Sequence, residues 1–532
     1  MARPKRRTVA PPHRVQTTFT ADLSRRAFLV GAAAGGAALS LSGLPAARAA
    51  NVPAPKKGGR LRVGMFGGGA SETLDPNLSN TDIDIARAHV LFERLVDFNP
   101  DGSLFNQLAE EFSHNADGSN WKIKLRSDVL WHDGSPFTAQ DVVYTLRYVL
   151  NPTNKAQGGA DVAFLKPDKI RALDPLTVEL VPEQPIAVLP TSLSSRALYI
   201  FKDGTKSFDA PIGTGPFAFK SFKRGERSLF VRNEHYRVPN RPYLDEIEII
   251  SINDPTTRLN ALVGRQIDAM SYVDAKLIPA VKANPAIKLL IADSGTYPGQ
   301  VMQTDAFPFD DNRVRQAFRL MINRQEMINV AWNGYGKIGN DLACPFDPDY
   351  AKEIPQRPYD PDRAKFLIKQ AGREGVTTSL YTGDIGPGMI ESSTLMAQYA
   401  AKVGVTLKLD KAPAETYYTD KFMKVPFQCT DWGQRPLDSQ IAQAFNHGAP
   451  YNESHWERPE FDKLTNEARR TLDPKKRHEL WVAAQRMLWD EGGYIIWGFP
   501  QLIDAHAANV YGFVSSSARA LGWYTFTDVY FG

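Results

Sequence analysis

Trp432-Gly433-Gln434-Arg435-Pro436-Leu437-Asp438 sets a flat apolar ring close to a planar cationic fork. A guanidinium offers parallel N–H donors, the geometry that a carboxylate, a phosphate or two sugar hydroxyls accepts. The local alternative is a structural salt bridge from Arg435 to Asp438 or Asp431. A second cluster, Asn446-His447 and Tyr451-Asn452-Glu453-Ser454-His455-Trp456, combines aromatic faces with an amide, a carboxylate and imidazoles. Such faces stack on sugar rings or cations while the amide fixes orientation, and the same residues also suit a surface loop with aromatic anchors. His447, Glu453 and His455 lack the helical H-E-x-x-H spacing of a zinc site, so no metal is assigned. Near the start of the chain, Met65-Phe66-Gly67-Gly68-Gly69 supplies flexible backbone, and Ser71, Glu72 and Thr73 follow it as polar groups able to meet a ligand.

Other chemistry is missing from the pattern. There is no C-x-x-C or iron–sulfur spacing, no G-x-S-x-G elbow, no Walker loop and no G-x-G-x-x-G between a strand and a helix. Gly213-Thr214-Gly215-Pro216 is unlike a phosphate loop because proline stands where a helix must open; it reads as a tight turn entering a strand. His132-Asp133-Gly134 likewise reads as a turn, with His132 a turn residue before it is a metal ligand. The two cysteines, Cys344 and Cys429, allow a disulfide without requiring one.

The chain begins with a three-part leader. A basic stretch precedes Ser24-Arg25-Arg26-Ala27-Phe28-Leu29, an apolar run from Leu29 to Leu44 follows, and Pro45-Ala46-Ala47-Arg48-Ala49 provides small residues for a cut after Ala49. The paired arginines, Arg25 and Arg26, resemble the twin-arginine signal of bacteria, and the apolar run is too short and too rich in Gly and Ala for a membrane span. Residues 1–49 hold eight Lys/Arg against one acid, Asp22, so the formal charge of +4 becomes −3 once they are removed. A slightly acidic remainder gives no reason to invoke nucleic acid or an anionic membrane surface. At roughly 480 residues it exceeds what one hydrophobic core organises, and two or three lobes are expected.

The elements that must position these residues alternate between strand and helix. Arg60–Gly64, Trp121–Arg126, Leu176–Leu180 and the more apolar Glu246–Ile252 have strand patterns, the last apolar enough for the middle of a sheet. Thr138 caps a helix carrying Val142, Val143, Leu146, Val149 and Leu150 on one face, and Asn151-Pro152 stops it. Asp360-Pro361 and Asp473-Pro474 each place an aspartate cap before a first-turn proline. The first helix carries Ala364, Leu367, Ile368 and Ala371 and ends at Gly372; the second carries Leu480, Ala483, Ala484, Met487 and Leu488 and ends at Gly492-Gly493. Asn312 is the expected cap of a fourth, with Val314, Ala317, Phe318, Met321 and Ile322 facing the core.

Several of these segments together resemble the family 5 extracytoplasmic solute-binding proteins, the receptors of dipeptide, oligopeptide and nickel ABC importers. The likeness runs in order through Leu108-Ala109-Glu110, Trp121–Arg126, Trp131-His132-Asp133-Gly134-Ser135-Pro136-Phe137-Thr138-Ala139-Gln140-Asp141-Val142-Val143, Pro211–Phe217, Pro242–Ile247, Asp311–Ala317, Tyr359–Lys365 and Glu460–Leu464. It implies an α/β, two-lobed periplasmic-binding-protein (flytrap) fold with an extra subdomain inserted in lobe I. The implied division is a signal peptide at 1–49, lobe I at 50–95 and 205–300, the inserted subdomain at 96–204, lobe II at 301–499 and a C-terminal return to lobe I at 500–532. It also implies a periplasmic, monomeric receptor that passes a small-molecule solute to an inner-membrane ABC permease with its cytoplasmic ATPase, while the leader with Arg25 and Arg26 is what points to export by the twin-arginine translocase. The expected receptor is not an enzyme and has no cofactor; the rival readings are an exported enzyme or a periplasmic chaperone on the same fold. In peptide-binding relatives a tryptophan at the position of Trp432 is followed within a few residues by an aspartate that neutralises the peptide amine. Here Arg435 intervenes and Asp438 comes later, which opens the solute class to peptide-like, opine-like or oligosaccharide compounds. The residues assigned to the ligand are Phe66, Glu72, Trp432, Gly433, Arg435, Asp438, Asn452, His455 and Trp456.

Overall fold

The computed structural model describes residues 53–532 apart from Gly68, Asn80, Ala414 and Glu415. The leader, with Arg25, Arg26 and the expected cut after Ala49, lies outside the described residues. Among the described residues no helix is long and apolar enough to cross a membrane.

A seven-stranded sheet organises the first lobe. Its order is Ile287–Ala292, Leu502–Ala507, Ala269–Met270, Arg60–Met65, Glu246–Ser251, Arg227–Arg232 and Phe217–Lys223. Arg60–Met65 runs parallel to both its neighbours, and Leu61, Val63 and Met65 are sealed against helix Asp82–Leu91 and the C-terminal segment. Glu246–Ser251 is central in this sheet, as its apolar content requires.

The second lobe has a five-stranded sheet, ordered Thr406–Ala412, Thr377–Gly383, Phe427–Trp432, Tyr297–Met302 and Tyr494–Ile495. Thr377–Gly383, helix Met389–Lys402 and Thr406–Ala412 make a parallel βαβ unit. Its core includes the Phe309, Phe318 and Phe427 rings and the stacked pair Trp332 and Trp497, 4.1 Å between centroids.

A four-stranded antiparallel sheet, Ala109–His114, Trp121–Leu125, Thr177–Leu180 and Ile170–Asp174, carries helix Ala139–Leu150 and has its own core. This is the inserted subdomain. His132 ties it to the first lobe: Nδ1 accepts from the Gly213 amide (3.0 Å) and Nε2 donates to the Gly215 carbonyl (3.1 Å). Burial pushes this imidazole down to about 4, so it stays neutral in the role.

The chain crosses between the large lobes at residues 293–296 and returns beside them at 498–502. Ser294 Oγ donates to the Pro500 carbonyl at 2.6 Å, and Gln501 Nε2 to Asp293 at 2.8 Å, so the two crossings form one adjacent pair. Adjacent crossings permit one lobe to swing on the other about a short axis.

The aspartate caps form as expected: Asp360 accepts from the Arg363 amide (2.8 Å) and Asp473 from the Lys476 amide (2.9 Å). Two expectations shift. Asp311, not Asn312, caps helix Asn312–Leu320, because its carboxylate accepts from the Arg313 amide. In helix Pro474–Glu491 the buried stripe is Trp481, Ala484 and Gln485, while Ala483 is exposed. The Gln485 amide is drawn inward because it donates to the Asp349 carbonyl and accepts from the Ala351 amide. The disulfide does not form. Cys344 and Cys429 are free buried thiols in separate core clusters, and Cys429 instead lies 3.3 Å from Ser393 Oγ.

Candidate functional site between the lobes

Strand Phe427–Trp432 pairs with Tyr297–Met302 so that Trp432 lies opposite Tyr297, the first strand residue after the crossing. Register therefore delivers Asp431, Trp432 and the residues after them to the seam between the lobes. The Trp432 indole donates to Glu453 Oε1 at 2.9 Å, and Thr430 Oγ1 donates to the same oxygen at 2.9 Å. The Arg435 guanidinium lies over the Trp432 ring, 4.6 Å from its centroid. Arg435 donates to the Gly433 carbonyl (3.4 Å) and to Gln443 Oε1. Among the described residues no carboxylate comes within ion-pair distance of it. Asp438, the partner that the sequence offered, pairs with Arg469 instead.

The other lobe presents its own charges to this strip. Arg519, in the C-terminal return, pairs with Asp82 at the start of helix Asp82–Leu91, 3.1 Å away. Gly433 approaches it so closely that a Cβ there would stand 2.6 Å from an Arg519 nitrogen, so any side chain at this position must displace the end of Arg519. Tyr272 and Tyr524 lie beside Asp82, and burial together with that carboxylate raises both phenols well above their ordinary range. Asp431 has one buried oxygen, Oδ1, with no hydrogen-bond partner. Burial, reinforced by Asp82 and opposed by Arg519, pushes its carboxyl up to about 7. Glu453 is sealed and pushed up to about 8 by burial, against the donors Thr430 and Trp432.

A third contribution comes from the inserted subdomain and the segment leaving it. Asp161 accepts from Ser195 (2.6 Å) on its own side and from Ser439 (2.7 Å) and Gln443 (3.4 Å) of the second lobe. Arg196 donates to the Ser79 carbonyl (2.9 Å) and to Gln157 Oε1 (3.3 Å). Burial, with Arg519 and Arg435 adding to it, pushes Arg196 down to about 10. Asp82, Asp431, Arg196, Arg435 and Arg519 are all hemmed in by protein, yet each keeps accessible surface.

The structure divides the residues expected at the ligand. Trp432, Gly433 and Arg435 stand at the seam. Phe66 is exposed after the opening strand of the first lobe. Glu72 does not reach the seam: it is fully buried, paired with Arg87 at 2.8 Å and accepting from the Gly225 amide. Asp438 is taken by Arg469. Asn452 donates to the Trp456 carbonyl at 3.1 Å, and Trp456 is buried against Phe461. His455, in a left-handed turn (φ 53°), pairs with Asp305 at 3.0 Å. The aromatic cluster is thus mostly the wall behind the seam, with Glu453 as its link to Trp432. Sequence reading missed Asp82, Asp161, Arg196 and Arg519. A signal existed for two of them: Arg196 is the lone formal charge between Glu183 and Lys202, and Arg519 the lone one between Asp504 and Asp528.

Residues 104–452 match the model of the bacterial extracellular solute-binding proteins, family 5. The chain belongs to this family. Among the relatives of this family 5 receptor is the glutathione-binding protein GsiB of Pectobacterium atrosepticum, 26% identical over 470 residues, covering 84% of this chain and 90% of that protein. The solved structure of DppA from Helicobacter pylori, in complex with the peptide STSA, superimposes with a TM-score of 0.78 at 21% identity, over 90% of this chain and 98% of that one. AgaA of A. tumefaciens, in complex with agropinic acid, gives 0.76 at 23% identity, over 89% and 99%. The two-lobed periplasmic-binding-protein fold and the role of a solute-binding receptor for an ABC importer follow.

Proposed function

We propose that this family 5 receptor captures a polar small solute, peptide-like, opine-like or an oligosaccharide, in the seam between its lobes and passes it unchanged to the permease. The observation that carries the reading is the seam itself, where Asp431, Trp432 and Arg435 of one lobe meet Asp82, Arg196 and Arg519 of the other. A solute touching both sides favours the closed arrangement by its differential contacts, and the permease reads that closure. Glutathione, a peptide and agropinic acid, bound by relatives according to their names, support a solute of this size and polarity. Export on the twin-arginine route, residence in the periplasm as a monomer and the absence of turnover complete the proposal.

Mass spectrometry of whatever leaves the purified mature protein on denaturation, followed by titration calorimetry of that compound, tests the reading. One polar solute, bound at one per chain and recovered chemically intact, is the expected result. Recovery of a converted product would transfer the protein to the enzymes.

A further inference from the structure

The arginines enclosed in this molecule are nearly all neutralised or saturated. Arg87 pairs with Glu72 and Asp84, Arg237 with Glu93, and Arg324 and Arg357 share Asp341. Arg258, Arg315 and Arg319 lack a carboxylate but each makes three or more hydrogen bonds to backbone carbonyls. Arg196 and Arg435 fit neither pattern. Each has, among the described residues, no carboxylate within ion-pair distance and only two acceptors for five N–H donors. The nitrogens left over, Nε of Arg196 and Nη2 of Arg435, are not among the sealed unpartnered atoms, so each keeps accessible surface.

Building on the reading of the seam as the solute site, we infer that Arg196 of the first lobe and Arg435 of the second form a clamp on a carboxylate of the solute. The nearby acids do not supply this charge. Asp82 is paired with Arg519, and Asp161, which accepts from three side-chain donors, lies outside ion-pair distance of Arg196 and Arg435. Asp431, lifted by its burial, is only partly ionised at neutral pH. Two guanidiniums in range of each other, Arg196 and Arg435, therefore stand at the seam without an ion-pair partner, which a neutral oligosaccharide cannot supply and a carboxylate can. The Arg435 guanidinium lies over the Trp432 face, and its planar fork suits a planar oxyanion. Because the two arginines come from opposite lobes, one carboxylate between them also pulls the lobes together. This narrows the solute to an acidic peptide-like or opine-like compound.

Calorimetric titration of the mature protein with a panel of peptides and amino-acid conjugates, glutathione among them, each as free acid and as carboxamide, beside neutral oligosaccharides, tests the clamp. Whichever members bind, the acid form is expected to bind at least ~10-fold more tightly than its amide. Arg196→Gln and Arg435→Gln should each weaken acid binding ~10- to 100-fold and bring acid and amide together, and Arg435→Lys should restore little of the difference. Equal binding of acid and amide by the wild type, a preference that survives both substitutions, or binding of neutral sugars alone overturns the clamp and leaves the receptor reading intact. A wild type that binds no member and releases no solute on denaturation overturns both. Circular dichroism and melting of each variant accompany the titrations, and if Arg435→Gln fails to fold, the half-buried Arg196 carries the test alone.

Discussion

Glu453 is all but sealed from solvent, and its burial keeps the carboxyl protonated up to about pH 8 against an ordinary value of 4.5. Between those values the folded protein holds a proton that the unfolded chain has released, so this group's contribution to stability falls as pH rises through that window, by at most ~1.4 kcal/mol per pH unit. Glu453→Gln keeps the acceptor for Trp432 and Thr430 and removes the ionisation. Melting temperatures of both proteins at pH 5 and pH 8 are expected to show the variant gaining on the wild type toward the alkaline end. Parallel pH profiles would mean that Glu453 does not titrate in this range. The residue scale also separates two kinds of aromatic: Trp432 offers a face toward the seam, and Trp456 fills a core.

At the scale of elements, the site depends on how strand Phe427–Trp432 ends. It places Trp432 opposite Tyr297, turns at Gly433, and enters helix Leu437–Ala444, whose Ser439 and Gln443 face the other lobe. Gly433 is where backbone meets the Arg519 guanidinium, so a branched side chain there must push the lobes apart or displace Arg519 from Asp82. Gly433→Val is expected to weaken solute binding ~10-fold or more while the solute-free melting temperature changes little, because the strain exists only in the closed arrangement. Calorimetry beside differential scanning would read that split; an equal loss of melting temperature would place the strain inside one lobe instead. Element ends followed from local chemistry, as at Asp360 and Asp473, and the one-residue slip at Asp311 and Asn312 arose because both side chains are competent caps.

For the whole molecule, closure of the inserted subdomain on the second lobe rests on polar contacts. Asp161 accepts from Ser439 and Gln443, the Ala187 amide donates to the Arg469 carbonyl at 2.6 Å, and Ser192 makes a longer contact to Asp438 at 3.5 Å. Asp161 is the one group in this set that accepts from two side chains across the seam, so Asp161→Ala removes the most connected of them. Small-angle scattering should show the loaded wild type more compact than the stripped protein, and the loaded variant shifted back toward the stripped dimensions. Identical radii for stripped and loaded wild type would count against hinged closure. Export belongs to the same scale. With Arg25 and Arg26 both changed to Lys, precursor is expected to stay in the cytoplasm, as fractionation and immunoblotting would show, whereas wild-type processing of the double variant would point to the general secretory route.

The sequence by itself determined the helices with aspartate caps, the alternating strands and the ordered segments that mark the family, and it pointed to Trp432–Arg435 as the candidate site. These are local properties, set by the spacing of residues a few positions apart. Only the tertiary structure decided what stands opposite them. Arg196 and Arg435 are separated by more than two hundred residues, and Arg519 reaches Asp82 across more than four hundred, so no periodicity records either meeting. The structure likewise gave Glu72 and Trp456 buried partners away from the seam, and gave Asp438 an ion pair with Arg469. Residue type limits what a side chain can do; which of those things it does depends on the burial and the partners that folding gives it.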